Sequence, residues 1–217
     1  MPFRDRHEAG RLLGRRLAEE RLPDPLVLAL PRGGVPVAYE VAEALGAELD
    51  VLVARKIGAP GQPELAIGAI AEGGEPILDD GMLARLGLTP GALEPTIVAE
   101  REELARRIRR YRGDRRLPRL EDRSVVVVDD GLATGATARA ALAALRERRP
   151  GLLVLAAPVC APGSEQRLRA EADRIVCLEA PEPFMAVGQW YEVFDQTSDE
   201  TVIDLLERAR RTDAGGG

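Results

Sequence analysis

The sequence predicts an α/β fold built on a parallel sheet, with a helical insert. Three observations carry this. Leu26–Leu30, Val125–Val128 and Leu152–Val159 are short runs without a single polar residue. Such runs suit strands buried on both faces. Helical stretches stand between the runs, which is the alternation that parallel sheets require. Residues 82–120 break the rhythm with one long Arg-rich helical stripe. At 217 residues and 45% apolar content, the chain is long enough for one large domain with its own core.

Residues 4–21 place Leu12, Leu13, Leu17 and Ala18 among charges, a surface helix stopped by Pro23 and Pro25. The strand Leu26–Leu30 ends in Pro31-Arg32-Gly33-Gly34. A helix follows from about Val35 to Leu45, with Gly46 as its C-cap. Leu49–Ala54 reads as a second strand ending in Arg55-Lys56. Residues 57–64 carry two prolines and no periodicity, so they read as a loop, and 57–67 as a mobile lid. Ile67–Ala71 and Pro76–Leu78 read as short strands. In the insert, Ile97, Arg101, Leu104, Ile108 and Tyr111 share one helical stripe. Val125–Val128 is the clearest buried strand, and an Ala-rich helix to about Arg148 follows its loop. Leu152–Val159, a helix over 163–171, a strand over Ile175–Leu178 and a helix from about Asp199 to Arg210 complete the order. The tail 215–217 is expected to be floppy.

Several function classes drop out. The only histidine is His7, read as an exposed helix residue, so a Ser-His-Asp triad or a histidine zinc site is not expected. Cys160 and Cys177 are expected as buried small hydrophobes in a reducing compartment, neither bridged nor metal-bound. No apolar run approaches the ~18 residues of a membrane helix, and the charged start MPFRDRHEAG is no signal peptide. A cytoplasmic location is expected. The net charge of −6 argues against a general nucleic-acid coat. Among 30 basic residues Lys56 is the one lysine, which makes its position informative.

The chemistry gathers at strand ends, where open α/β sheets bind ligands. In VVVVDDGLATGAT, a β-branched strand delivers Asp129 and Asp130 at its carboxyl end. The loop Ala133-Thr134-Gly135-Ala136-Thr137 then opens a helix. Loop N–H groups, threonine hydroxyls and a helix N-terminus make a phosphate cradle. Ionised carboxylates only accept hydrogen bonds, so the acid pair suits vicinal hydroxyls. Phosphate on the loop and a diol on the acids describe a ribose 5-phosphate.

Here the chain resembles the type I phosphoribosyltransferases, whose signature is four hydrophobics, two acids, two hydrophobics, a small residue and Thr-Gly-x-Thr. Residues 125–137 match it, with Gly131 where an aliphatic residue is usual. The resemblance covers about residues 25–180 and implies a fold and a division of roles. The fold is a parallel-sheet phosphoribosyltransferase core, about 24–72 and 121–178. The Arg-rich insert is about 73–120, and a small C-terminal hood is about 180–198 plus the terminal helices. Asp129 and Asp130 would hold the ribose hydroxyls, and Ala133–Thr137 the 5-phosphate of 5-phosphoribosyl 1-pyrophosphate (PRPP). Arg32, Gly33 and Gly34 would bind pyrophosphate together with Arg55 and Lys56. Asp129, Asp130, Arg55 and Lys56 form the implied catalytic set. Mg²⁺ would ride on PRPP and water, touching the two aspartates indirectly.

The family's hood grips the acceptor, which here assigns Phe184, Val187 and Trp190. In 6-oxopurine members an acid stands where Ala133 stands, so hypoxanthine and guanine are disfavoured. Glu64, Glu192 and Asp195 are candidates for the base. The expected reaction phosphoribosylates a nitrogen acceptor, a nucleobase among the options. The expected partners are PRPP and a small acceptor, with a homodimer among the allowed assemblies; nucleic acid and membrane are not expected. The alternative is a non-catalytic PRPP or nucleotide sensor that binds RNA. It rests on Arg101–Arg119, with nine arginines against three acids.

Overall fold

The computed structural model describes residues 2–215, the side chains of 212–215 excepted. Five parallel strands form the main sheet in the order β2-β1-β6-β7-β8. They are β1 (Pro25–Ala29), β2 (Glu48–Val51), β6 (Ser124–Val128), β7 (Leu152–Val159) and β8 (Arg174–Glu179). The apolar runs are continuous because both faces are covered. Alternate residues turn to opposite faces of a strand. Val27, Val126, Val128 and Val154 enter one core with Leu13, Val41 and Leu206. Those three belong to α1 (Arg6–Ala18), α2 (Gly34–Leu45) and α7 (Asp199–Gly215). Leu26, Val125, Val127 and Leu155 enter the other core with Leu142 and Leu145 of α5 (Ala136–Arg146).

The second sheet differs from expectation. Arg55 and Lys56 do not end the second strand of the parallel sheet, which stops at Val51. They begin an antiparallel sheet of β3 (Ala54–Ala59), β4 (Gln62–Ala71) and β5 (Ile77–Leu78). The supposed loop at 57–64 is therefore the turn and flanks of a hairpin. Register shifts at Ile57/Gly58 and Gly58/Ala59 break the alternation, so no period-2 pattern marks it in the sequence.

The insert is helical as read: α3 (Asp80–Leu86), a 3₁₀ turn and α4 (Glu94–Arg112). Ile97, Leu104 and Tyr111 are its buried stripe. Six of its arginines pair with acids: Arg101 with Glu75, Arg106 and Arg107 with Glu103, Arg110 with Asp199 and Glu200, Arg112 with Asp50 and Glu72, and Arg119 with Glu121. No helix among the described residues is long and apolar enough to cross a membrane. The 215–217 tail lies outside the described residues, except for Gly215 at the end of α7.

The cysteines correct the sequence reading. Cys160 and Cys177 form a disulfide, with Cα atoms 6.3 Å apart. Cys177 lies on β8, and Cys160 follows β7, its parallel neighbour, donating its N–H to the Glu179 carbonyl at 2.9 Å. A spacing of 17 residues could not show which strands would lie side by side. Cys160→Ser with Cys177→Ser is expected to lower stability by about 3 kcal/mol, through the lost loop constraint on the unfolded chain. Unfolding of both proteins in urea without reductant measures it, and equal midpoints would refute it.

α6 (Ser164–Leu168) lies between these two strands, shorter than the 163–171 expected.

Candidate active site

The end of β6 builds the centre. Asp129 is held by its N–H on the Ala156 carbonyl, at 3.2 Å, and its Oδ1 accepts the Asp130 N–H at 2.9 Å. Adjacent acids on one strand end share a poorly solvated space. Burial, followed by the Asp130 charge, pushes the Asp129 carboxyl well above the usual carboxylate range. Burial also raises Asp130, against the pull of a nearby guanidinium.

The following loop is anchored before it opens. The Leu132 N–H donates to the Val159 carbonyl and its carbonyl accepts from Ala161, at 2.9 and 2.7 Å. Gly135 takes φ of +74° and caps α5. The N–H groups of a first helical turn have no intrahelical partner. The Ala136 N–H reaches the Thr134 hydroxyl at 3.4 Å, and Ala133, Thr134, Gly135, Ala136 and Thr137 together bring N–H donors and a positive helix end to one place, as a phosphate requires. A cleft of about 900 Å³ separates this loop from β4, with Leu65, Ile67, Thr134, Arg139 and Arg167 in its walls.

The turn after β1 meets the acid pair. A Cβ on Gly33 would lie 2.0 Å from Asp130 Oδ2, and one on Gly34 would lie 2.7 Å from the Val128 carbonyl oxygen. Only glycine permits this approach. Arg32 beside them keeps 30% of its side chain exposed and lies 3.9 Å from Asp199. The structure therefore brings Gly33 against Asp130 and Gly34 against Asp129, with Arg32 next to them in the chain.

Arg55 and Lys56 stand apart. Arg55 Nε donates to Glu100 of α4 at 2.7 Å, and Lys56 Nζ contacts Glu64 at 3.1 Å. Neither touches the acid pair. In the hood, Phe184 stacks on Trp190 with centroids 6.5 Å apart, and Val187 packs on the acid loop at Gly131. Phe184, Val187 and Trp190 also pack against a small satellite core of Phe3, Ala9, Val159 and Tyr191.

The same packing accounts for the irregular glycine of the signature. A Cβ on Gly131 would lie 2.5 Å from Val187 and 3.0 Å from Val159. Gly131→Leu is expected to displace Val187 and cost about 1–3 kcal/mol by overpacking. Chemical unfolding checks this, and an unchanged midpoint would show that the hood yields freely.

Two residues outside the assigned site set reach the acid pair. Arg6 Nε donates to Asp130 Oδ2 at 2.9 Å, and its guanidinium lies 3.9 Å from the Phe194 ring centroid. The Tyr191 hydroxyl donates to the Asp130 carbonyl at 2.6 Å. The crowding of aromatics at 184–194 was a signal for Tyr191. Nothing marked Arg6 among 29 arginines.

Residues 5–192 match the family model for the phosphoribosyl transferase domain. The chain belongs to this family. A phosphoribosyl transferase family protein of Mycobacterium tuberculosis strain H37Rv, named "Putative phosphoribosyl transferase Rv0571c", is 48% identical over 216 residues, 99% of this chain and 48% of that protein. The chain spans about half the length of the curated relatives it matches. The crystal structure of the TT1426 protein from Thermus thermophilus is 45% identical and covers 96% of this chain and 99% of that one, with a TM-score of 0.81. The AQ2163 protein of Aquifex aeolicus, 14% identical with a TM-score of 0.52 over 93% of this chain and 84% of that one, shares the fold. The α/β core with its five-stranded parallel sheet is thus a phosphoribosyltransferase-family core.

Proposed function

We propose that the chain binds PRPP and transfers its phosphoribosyl group to a nitrogen acceptor, displacing pyrophosphate. The bond from C1 to the diphosphate oxygen breaks, and its electron pair leaves with diphosphate. A C1–N bond forms, and the acceptor nitrogen gives up a proton. The observation that carries the reading is the meeting of Asp129, Asp130, the 133–137 loop and Gly33 at the ends of two adjacent strands. Asp129 and Asp130 accept the ribose hydroxyls and face the positive charge that develops on the ring. Loop N–H groups hold the 5-phosphate, and Arg32 meets the diphosphate. Arg55 and Lys56 would join it by exchanging Glu100 and Glu64 for the leaving group.

Two carboxylates are too few for a closed magnesium shell, which takes six oxygens. They fit Mg²⁺ held mainly by PRPP and water. Bound there, the ion neutralises diphosphate charge. Phe184, Val187 and Trp190 are the proposed acceptor contacts, and Glu64, Glu192 or Asp195 the proposed proton acceptors. The ion pairs of the insert leave the RNA-binding alternative without an observation in its favour.

The test has two stages. Calorimetric titration with PRPP and Mg²⁺ is followed by a panel of nitrogen acceptors, with all common nucleobases, scored by pyrophosphate release. Saturable PRPP binding and release with one acceptor are expected. A folded protein that gives no heat with PRPP refutes the proposal.

A further inference from the structure

Where β7 leads through α6 into β8, the chain gathers three groups that phosphoribosyl transfer does not use. Cys160 follows β7 and is fully buried, Cys177 lies half-buried on β8, and Glu165 stands in the first turn of α6. A carboxylate oxygen of Glu165 and the two sulfurs all lie within 4.8 Å of one another. Backbone bonds fix this arrangement. Cys160 donates its N–H to the Glu179 carbonyl at 2.9 Å, and Ala161 donates to the Leu132 carbonyl at 2.7 Å. Ser164, fully buried, gives both its N–H and its hydroxyl to the Ala161 carbonyl, at 3.0 and 2.6 Å. That sets the start of α6 and with it the place of Glu165.

Glu165 gains nothing from this place while the sulfurs are bridged. A carboxylate only accepts hydrogen bonds, and disulfide sulfurs carry no proton to donate. Among the described residues its carboxylate has no hydrogen-bond or ion-pair partner. With the bridge open, the same three groups are two thiols and a carboxylate, which is a ligand set for zinc. A hard ion such as Mg²⁺ takes oxygens instead. Zn–S bonds of about 2.3 Å at a tetrahedral angle put two ligand sulfurs about 3.8 Å apart. Side-chain rotation reaches that separation from Cα atoms 6.3 Å apart. Three protein ligands leave the fourth position to water, as in open zinc sites.

We propose that the reduced protein holds one Zn²⁺ on Cys160, Cys177 and Glu165, and that the disulfide is the closed, metal-free alternative of the same site. A dithiol opens it. One thiolate of the dithiol attacks the Sγ of Cys177, the less buried cysteine, and the S–S bond breaks with its electron pair leaving on Cys160. The second thiol of the dithiol then attacks the mixed disulfide, and Cys177 leaves as a thiolate. Two electrons have passed to the protein, and the dithiol has become a cyclic disulfide. Zn²⁺ takes the two sulfurs as thiolates, and any protons they carry go to solvent. The inference does not rest on the PRPP reading, whose residues supply none of the ligands.

The experiment reduces the chain with dithiothreitol, desalts it without oxygen and titrates it with Zn²⁺ against a chromophoric chelator, beside the oxidised chain. One equivalent of zinc per reduced chain is expected, and none for the oxidised chain. Zinc should raise the melting midpoint of the reduced chain only. Loss of a group that merely supports a zinc ligand costs about 10–100-fold in affinity. Glu165→Gln, which keeps the size and removes the anionic ligand, should therefore weaken zinc binding at least about tenfold. Reduced Cys177→Ser should lose the site.

Equal uptake by the oxidised and reduced chains would overturn the inference, because the ion would then sit elsewhere. No uptake by the reduced chain would overturn it, as would half an equivalent per chain, the mark of zinc shared between two molecules. Affinity equal to wild type in Glu165→Gln would do the same. Should that variant fail to fold, Cys177→Ser decides, and uptake equal to wild type there overturns the site. Circular dichroism shows whether the reduced chain is folded. If it unfolds on reduction, recovery of its melting transition on adding zinc supports the site, and no recovery overturns it.

Discussion

Replacing Asp129 and Asp130 together by asparagine is expected to lower PRPP affinity about a hundredfold or more while the fold survives. Hydrogen bonds to a charged acceptor are worth roughly 1.5–3 kcal/mol each, and each acid offers at least one to the diol. Asparagine keeps the shape, and its carbonyl oxygen still accepts the N–H that now bonds to Asp129. It offers a single acceptor oxygen and no charge. Calorimetry on a double variant with a native melting transition measures the loss. Unchanged affinity would remove the acid pair from the site.

The two acids should differ in their effect on stability. Asp129 titrates above its ordinary range in the folded state because it is buried beside Asp130. The folded chain therefore binds this proton more tightly than the unfolded chain. Stability falls as pH rises from the ordinary carboxylate range through the raised value. Asp129→Asn removes this slope, so the single variant should melt above wild type at neutral pH. Burial raises Asp130 as well, but the Arg6 guanidinium opposes it, so Asp130→Asn should raise the melting midpoint less than Asp129→Asn does.

The largest stability effect is expected at Arg112. Its side chain is 1% exposed at the end of α4. It binds Asp50 of β2, Glu72 beyond β4 and the Val51 carbonyl. Arg112→Met leaves two poorly solvated carboxylates without their cation, which costs about 3–5 kcal/mol. For a domain of this size the melting midpoint should drop on the order of 10 °C. Arg106→Met, at a solvated pair with Glu103, should leave the midpoint unchanged. Equal small shifts for both would show that the Arg112 cluster does not hold the insert to the core.

The contrast between these two arginines marks where sequence reasoning stops. Both sit in one charged run, and charge alone makes them equivalent. Burial separates them, and burial depends on what α4 packs against. Arg55 teaches the same lesson. Its place before a Gly/Pro-rich stretch resembled a parallel strand end, but the register of a bulged hairpin turns it toward Glu100.

The sequence by itself determined the acid pair, the phosphate-type loop, the main-sheet strands and the helical stripe of the insert. These rest on contiguous residues: four valines, two aspartates, a glycine turn and a helix start follow one another, so propensity and periodicity act within a few positions. Only the tertiary structure decided the partner of each group. Arg6 and Asp130 are 124 residues apart, and Arg112 lies 62 from Asp50. Cys160 meets Cys177 only because β7 and β8 are neighbours. Long-range pairing is set by strand order and by which faces are buried together. No local pattern in the chain records that choice.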